Sequence, residues 1–208
     1  MGRSFRLVSP VYLLAGAISW PFVKVGFRLR AHGREHLPQG GFVLAANHTS
    51  NFDPWPLGLP LLPRRQLRFM AKVELFNPVL APILRAGGVF PVRRGEGDLE
   101  AIERAVELVR DGEIVVMFPE GTRRKKGLRK KHQARPHTGA ARIALAAEAP
   151  LVPAAVKGTE RITRLEPLRV AYGEPIALGD LRGVEIGQAA REATRRLMAA
   201  IAELEASL

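Results

Sequence analysis

Phe42-Val43-Leu44-Ala45-Ala46-Asn47-His48-Thr49-Ser50-Asn51-Phe52-Asp53-Pro54 runs from an apolar stretch through a polar turn to a proline. The five apolar residues after Gly40-Gly41 read as a short buried strand, with the glycines as the turn that enters it. Proline is tolerated at the first helical position, so Pro54–Leu62 reads as a short helix. A residue before proline is biased away from the α region, which makes Asp53 the expected N-cap. Strand, polar turn and helix in succession are the repeating unit of an α/β fold.

Downstream the unit recurs. Val73–Arg85 is apolar but interrupted by Pro78 and Pro82, predicting two short helical pieces. Gly88–Val92 reads as a second strand. Over Asp98–Arg110, Leu99, Ile102, Ala105, Val106 and Val109 recur at helical spacing, with Asp98 as N-cap and Asp111-Gly112 as the stop. Ile114–Phe118 is apolar on both faces, as the interior of a sheet requires. An Ala-rich helix over Thr138–Glu148, strands over Leu151–Val156 and Leu168–Tyr172, and an amphipathic helix over Val184–Ala206 follow. Pro153 lacks an N–H and argues for an edge position or a bulge in its strand. The order predicts a mostly parallel central sheet flanked by helices.

Toward the N-terminus, Leu7–Val23 carries no charge, and cations stand on both sides at Arg3, Arg6, Lys24, Arg28 and Arg30. As a helix those residues reach about 25 Å, short of a hydrocarbon core of about 30 Å. Phe5, Tyr12, Trp20, Phe22 and Phe27 suit the headgroup boundary of a membrane. A cleaved signal peptide lacks a convincing cleavage site, and a buried core helix is the other alternative. The preferred expectation is a helix or helix pair lying in the interface, with residues 1–31 as a membrane-associating segment and 32–208 as the globular domain.

The 208 residues hold 32 Lys or Arg against 20 Asp or Glu, a formal net charge of +12. That surplus predicts attraction to an anion: nucleic acid, acidic lipid or a phosphorylated substrate. Cysteine is absent, which excludes a disulfide framework, a thiolate metal site and a thiol nucleophile. Between Arg123 and Arg135 eight residues are basic and none is acidic. No aromatics interleave this run, so electrostatic docking on anionic lipid suits it better than nucleic-acid binding. His32, Glu35 and His36 have the wrong order for a metal-binding helix and are interrupted by Gly33.

His48 and Asp53 are five residues apart, about 140° around one continuous helix, and meet only if the chain turns between them. A carboxylate bonded to one imidazole nitrogen leaves the other free to accept a proton, which makes a general base. The plain alternative is a loop histidine beside a capping aspartate. Ser50 lacks a Gly-x-Ser-x-Gly elbow and reads as a turn residue. Phe118-Pro119-Glu120-Gly121-Thr122-Arg123 follows a strand, where such folds place their sites. Gly121 permits close backbone approach, Thr122 offers a hydroxyl, and Arg123 can grip a phosphate. Gly88-Val89-Phe90-Pro91-Val92-Arg93-Arg94 delivers cations beyond another strand.

Together these stretches resemble the lysophosphatidic acid acyltransferase family. Its Asn-His-x4-Asp block is Asn47 to Asp53, and its Gly-Phe-Pro-x-x-Arg pattern matches Gly88 to Arg94, although Arg93 occupies an often acidic place. Phe-Pro-Glu-Gly-Thr-Arg is matched in full by Phe118 to Arg123. An apolar strand with Val-Pro is Leu151 to Gly158, and Lys72-Val73-Glu74-Leu75 fits the usual spacer.

The resemblance implies a 1-acylglycerol-3-phosphate O-acyltransferase. It would move an acyl chain from acyl-CoA or acyl-carrier protein to the sn-2 hydroxyl of lysophosphatidic acid, giving phosphatidic acid. His48 would be the general base and Asp53 would orient it. Lys72, Arg94, Glu120, Gly121, Thr122 and Arg123 would hold the acceptor's glycerol phosphate, Glu120 by positioning cations or bonding a hydroxyl. No metal or cofactor is implied, and no nucleic-acid partner. The expected location is an anionic cell-membrane surface, peripheral or monotopic, with the site on the cytoplasmic side. Two alternatives remain: another lysophospholipid or lyso-aminolipid acceptor, and a non-catalytic basic protein binding membrane or nucleic acid.

Overall fold

In the computed structural model, which describes residues 8–92, 99–121 and 136–208, all five residues of β2 (Phe42–Ala46) are buried. Successive side chains of a strand point to opposite faces, so both faces of β2 must be covered by apolar partners. Phe42, Leu44 and Ala46 join one core with Leu57, Val116, Val152 and Val170. Val43 and Ala45 join the other, with Val115, Ala105, Ile143 and Leu197. This double burial explains why the strand shows no polar alternation.

Among the described residues seven strands form one sheet: β1 (Arg30–His32), β2, β3 (Leu67–Lys72), β4 (Val89–Val92), β5 (Ile114–Met117), β6 (Leu151–Lys157) and β7 (Arg169–Tyr172), in the order β1-β7-β6-β2-β5-β3-β4. All neighbours pair in parallel except β6 with β7, so β1 and β7 run opposite to the other five. The mostly parallel α/β sheet is therefore as expected. The helices α4 (Leu99–Arg110), α5 (Gly139–Ala147) and α6 (Ile186–Ser207) supply the core on the Val43 face. The other face packs α2 (Pro54–Gly58) and the π-helical turn Phe22–Gly26 that follows α1 (Pro10–Pro21). As expected, Val73–Arg85 breaks into short pieces, a 3-10 turn at Val73–Leu75 and α3 (Leu80–Ala86).

Three expectations need correction. β1 and β3 were not visible in the residue pattern. β1 is only three residues long and has cationic or polar ends, and β3 carries Arg68, whose charge is met by a bidentate pair of hydrogen bonds to Glu113 at 2.8 and 3.0 Å. Pro153 does not mark an edge strand, since β6 lies between β7 and β2. Its missing N–H is tolerated because pairing with β7 begins only at Ala154, while the Pro153 carbonyl still accepts from Gly173 N–H at 2.9 Å.

In α1 only Gly16 is buried, beside Leu59 and Leu62; Val23 and Phe27 after it join the core, whereas Val11, Leu14, Ile18, Trp20, Phe22 and Val25 are exposed. A wholly buried helix is thereby ruled out for this segment. Among the described residues no helix is long and apolar enough to cross a membrane.

Entry into β2 depends on Gly41, where an added Cβ would stand 1.9 Å from the Val109 carbonyl oxygen and 3.0 Å from that of Glu113. Both obstacles are backbone, at the end of α4 and the turn into β5. Gly41→Ala is therefore expected to cost stability at the upper end of about 1–3 kcal/mol, measured as a lowered urea midpoint with unchanged m-value.

Candidate active site

Five strands run the same way, so β2, β5, β3 and β4 deliver their C-terminal residues to a common edge of the sheet. Sites of open α/β sheets form at that edge. Ala45 pairs with Met117, which brings the loop after β2, carrying His48, beside the loop after β5, carrying Phe118 to Gly121. Lys72 ends β3 and is paired with Val92, the last residue of β4.

His48 and Asp53 meet. The Nδ1 of His48 lies 2.8 Å from Oδ2 of Asp53. Asp53 sits at the N-cap position of α2, but its backbone is αR and its side chain makes no cap bond, contrary to the sequence expectation. The carboxylate turns back instead: Oδ2 also accepts from the N–H groups of Thr49 at 2.7 Å and Ser50 at 2.9 Å. A loop that wraps its own carboxylate satisfies donors that a helix cap would have left to solvent. Ser50 is a turn residue, its hydroxyl accepting from Phe52 N–H at 3.2 Å.

Oδ1 of Asp53 accepts from the hydroxyls of Thr159 and, at 3.2 Å, Thr49. Asp53 is fully buried. Burial pushes its pKa up, but the bonds from His48, Ser50 N–H, Thr159 and Thr49 N–H outweigh burial and hold the carboxyl below its ordinary value. An ionised carboxylate only accepts, so Nδ1 of His48 carries a proton, and in the neutral imidazole Nε2 presents a lone pair. The His48 side chain keeps 18% of its accessible surface. Phe118 stacks on the imidazole, with ring centroids 4.1 Å apart and planes at 19°.

Asn47 is fully buried and completes the end of the sheet. Its amide donates to the Val156 carbonyl at 2.9 Å and accepts from Val156 N–H at 2.8 Å, extending the β2–β6 ladder by one side chain. Gly121 has φ +67°, and an added Cβ there would lie 2.3 Å from the His137 ring. His137 is held by its N–H bond to the Pro119 carbonyl, at 2.7 Å. Glu120 stands half-buried between these residues.

Arg94, Thr122, Arg123 and the basic run to Arg135 lie outside the described residues, as does the Asp98 expected to cap α4; Lys72 is described only as the end of β3. Three site features were not anticipated: Thr159, the Phe118 stack and the Asn47 staple. Only Thr159 carried a trace, since it follows the Val-Pro strand and its Gly158 directly.

A family model described as Acyltransferase matches residues 28–157. The chain is 33% identical to a 1-acyl-sn-glycerol-3-phosphate acyltransferase of Bacillus subtilis, over 86% of this chain and 89% of that protein. It is 32% identical to the chloroplastic 1-acyl-sn-glycerol-3-phosphate acyltransferase BAT2 of Brassica napus, covering 72% of this chain but 42% of that longer one. The crystal structure of the 1-acyl-sn-glycerophosphate acyltransferase PlsC from Thermotoga maritima superposes with a TM-score of 0.62 over 91% of this chain and 76% of that one, at 23% identity, and so shares its fold.

The Asp53 environment has a consequence for stability. A folded-state pKa below the unfolded value of about 3.9 contributes stability that is present above that pH and is lost as the pH falls through the folded value. In Asp53→Asn an amide N–H₂ would face donors already aimed at the carboxylate. The variant is expected to be less stable by about 2–3 kcal/mol at pH 7. That gap should close below about pH 4, as read by urea unfolding across a pH series.

Proposed function

Because the chain belongs to the acyltransferase family, we propose that this enzyme transfers an acyl chain from a thioester donor to the sn-2 hydroxyl of lysophosphatidic acid, forming phosphatidic acid. The observation that carries the reading is the contact of His48 Nδ1 with the buried, ionised Asp53, on an imidazole side chain that keeps 18% of its accessible surface. The Bacillus subtilis relative, a 1-acyl-sn-glycerol-3-phosphate acyltransferase that this chain matches over most of both lengths, supports the choice of acceptor.

In this mechanism His48 Nε2 removes the acceptor's hydroxyl proton as the oxygen attacks the thioester carbonyl. A C–O bond forms, the carbonyl becomes an oxyanion, and Asp53 stabilises the resulting imidazolium. Collapse breaks the C–S bond, and the imidazolium returns the proton to the departing thiolate. The sequence contains no cysteine, so no enzyme thiol competes for the acyl group. Acyl-CoA and acyl-carrier protein are both anionic and both suit a chain of net charge +12.

The acceptor's phosphate is assigned to Lys72, Arg94, Thr122 and Arg123, with Glu120 and Gly121 shaping the cradle. What supports this is that Lys72, Val92 and Gly121 close or follow strands at the edge that carries His48. Membrane docking is assigned to the N-terminal segment, which presents Val11, Leu14, Ile18, Phe22 and Val25 to the surroundings. Apolar side chains on one face of a helix beside cations fit an anionic lipid interface.

His48→Ala is expected to lower kcat by about 10²–10⁴-fold, followed as thiol release from acyl-CoA with lysophosphatidic acid. Unchanged turnover would overturn the mechanism, and equal turnover of an acceptor without phosphate would overturn the cradle.

Ile18 and Val25 are 70% and 76% exposed, so Ile18→Asp with Val25→Asp leaves the core intact. The double variant is expected to bind vesicles containing anionic lipid about tenfold or more weakly than wild type in a flotation assay.

A further inference from the structure

The block from Asn47 to Asp53 is tied to the end of β6 at both ends. Asn47 bonds the backbone of Val156, and Asp53 receives the hydroxyl of Thr159. The two ties differ in kind. Asn47 holds the Val156 backbone with its side-chain amide, whereas Thr159 touches the carboxylate that sets the imidazole.

Among the described residues every other donor to Asp53 belongs to its own loop: His48 Nδ1–H, the N–H groups of Thr49 and Ser50, and the Thr49 hydroxyl. Three of these converge on Oδ2. Such donors move with the loop and cannot register the carboxylate against the sheet. Thr159 comes from more than a hundred residues away and is almost fully buried, with 1% of its surface accessible. Its single hydroxyl proton goes to Asp53 Oδ1, and its oxygen lies 3.0 Å from the Thr49 hydroxyl, which can donate in turn. The one proton of the Thr49 hydroxyl is shared between Thr159 Oγ1 at 3.0 Å and Asp53 Oδ1 at 3.2 Å.

Local backbone geometry aims the threonine. Gly158 has φ +98°, where an added Cβ would stand 2.4 Å from the Pro167 carbonyl oxygen, and Gly158 N–H donates to Glu160 Oε2 at 3.0 Å. Thr159 thus leaves β6 through a turn that only glycine permits.

We propose that Thr159 is a positioning residue for acyl transfer, its hydroxyl fixing the plane of the Asp53 carboxylate and thereby the tautomer and direction of His48. This inference rests on the acyl-transfer reading above and adds a residue to it. It requires the hydroxyl; the rest of the threonine side chain serves only as packing.

Two pairs of side chains that differ at the hydroxyl test it: threonine against Thr159→Val, and Thr159→Ser against Thr159→Ala. The second pair cannot clash and serves if Thr159→Val does not fold. In each pair, loss of the hydroxyl is expected to lower kcat about ten- to hundredfold. KM for donor and acceptor should stay within about twofold, because Thr159 reaches the reaction only through Asp53 and His48. Thr159→Ser should retain most of the wild-type kcat. Equal kcat within both pairs, or Thr159→Ser as impaired as Thr159→Ala, would overturn the proposal and leave Thr159 a packing residue.

A readout independent of turnover separates this inference from the reading beneath it. Nitrogen-15 spectra of labelled histidine, with the His48 signals identified by their loss in His48→Gln, report which ring nitrogen carries the proton. Wild type and Thr159→Ser should show the Nδ1–H form. Thr159→Ala and Thr159→Val should gain Nε2–H population. If acyl transfer to lysophosphatidic acid fails yet the tautomer shifts, the substrate reading falls and the positioning role stands. If transfer proceeds and the tautomer does not shift, Thr159 loses its role and the enzyme reading stands.

Discussion

A carboxylate with no access to water is the constraint around which the His48 end of the sheet is built. Removing an ion from water costs several kcal/mol even after relaxation, so the chain must surround Asp53 with donors. It does so with two backbone N–H groups, two hydroxyls and one imidazole. Each donor fixes part of the backbone: residues 48–50 curl over the carboxylate, α2 begins at Pro54 immediately after it, and the end of β6 must lie within reach of Thr159. Replacing a helix cap by this arrangement gives up one local bond and gains a rigidly held imidazole.

The topology makes that arrangement possible. Parallel neighbours end at the same edge, so loops distant in sequence become adjacent without any long connection between them. β2 and β5 put Phe118 against the imidazole, and β2 and β6 put Asn47 and Asp53 against Val156 and Thr159. A stacked phenyl ring and a bonded carboxylate restrain the imidazole in two independent directions, one across its plane and one within it. Asp53 takes only one ring nitrogen, Nδ1, and the imidazole side chain keeps 18% of its accessible surface.

The buried strands and the main helices were legible because burial leaves a local signature. β2 is apolar throughout, and α4 repeats its apolar residues at helical spacing and stops at Gly112, whose φ is +89°. Interactions between distant residues leave no such trace. β3 was hidden because Arg68 is balanced by Glu113, forty-five positions further on. Asp53 was expected to cap its helix because its immediate neighbour is Pro54; the donors that claim its side chain are set by the fold of the loop and by Thr159. The pairing of His48 with Asp53 was legible through the ordered motif blocks, whereas the hydroxyl that holds Asp53 from the other side was not, since a threonine after a glycine is unremarkable in isolation.

The low pKa of Asp53 also constrains how charge moves in the proposed reaction. If the aspartate were the final proton acceptor, its bonds from Ser50 N–H, Thr49 N–H and Thr159 would have to weaken as it became neutral, since each favours the anion. The proton therefore stays on His48, and an imidazolium–carboxylate pair forms inside a shell of donors that is already in place. Little reorganisation is then required as the oxyanion develops, which is the condition under which fixed dipoles lower a barrier most. The same shell ties the base to the sheet, so its Nε2 has a fixed place relative to β3 and β4, whose ends lead into the cations assigned to the acceptor phosphate. Under this reading phosphate binding and proton removal share one rigid frame, and an acceptor gripped by its phosphate brings its hydroxyl to the base without a search.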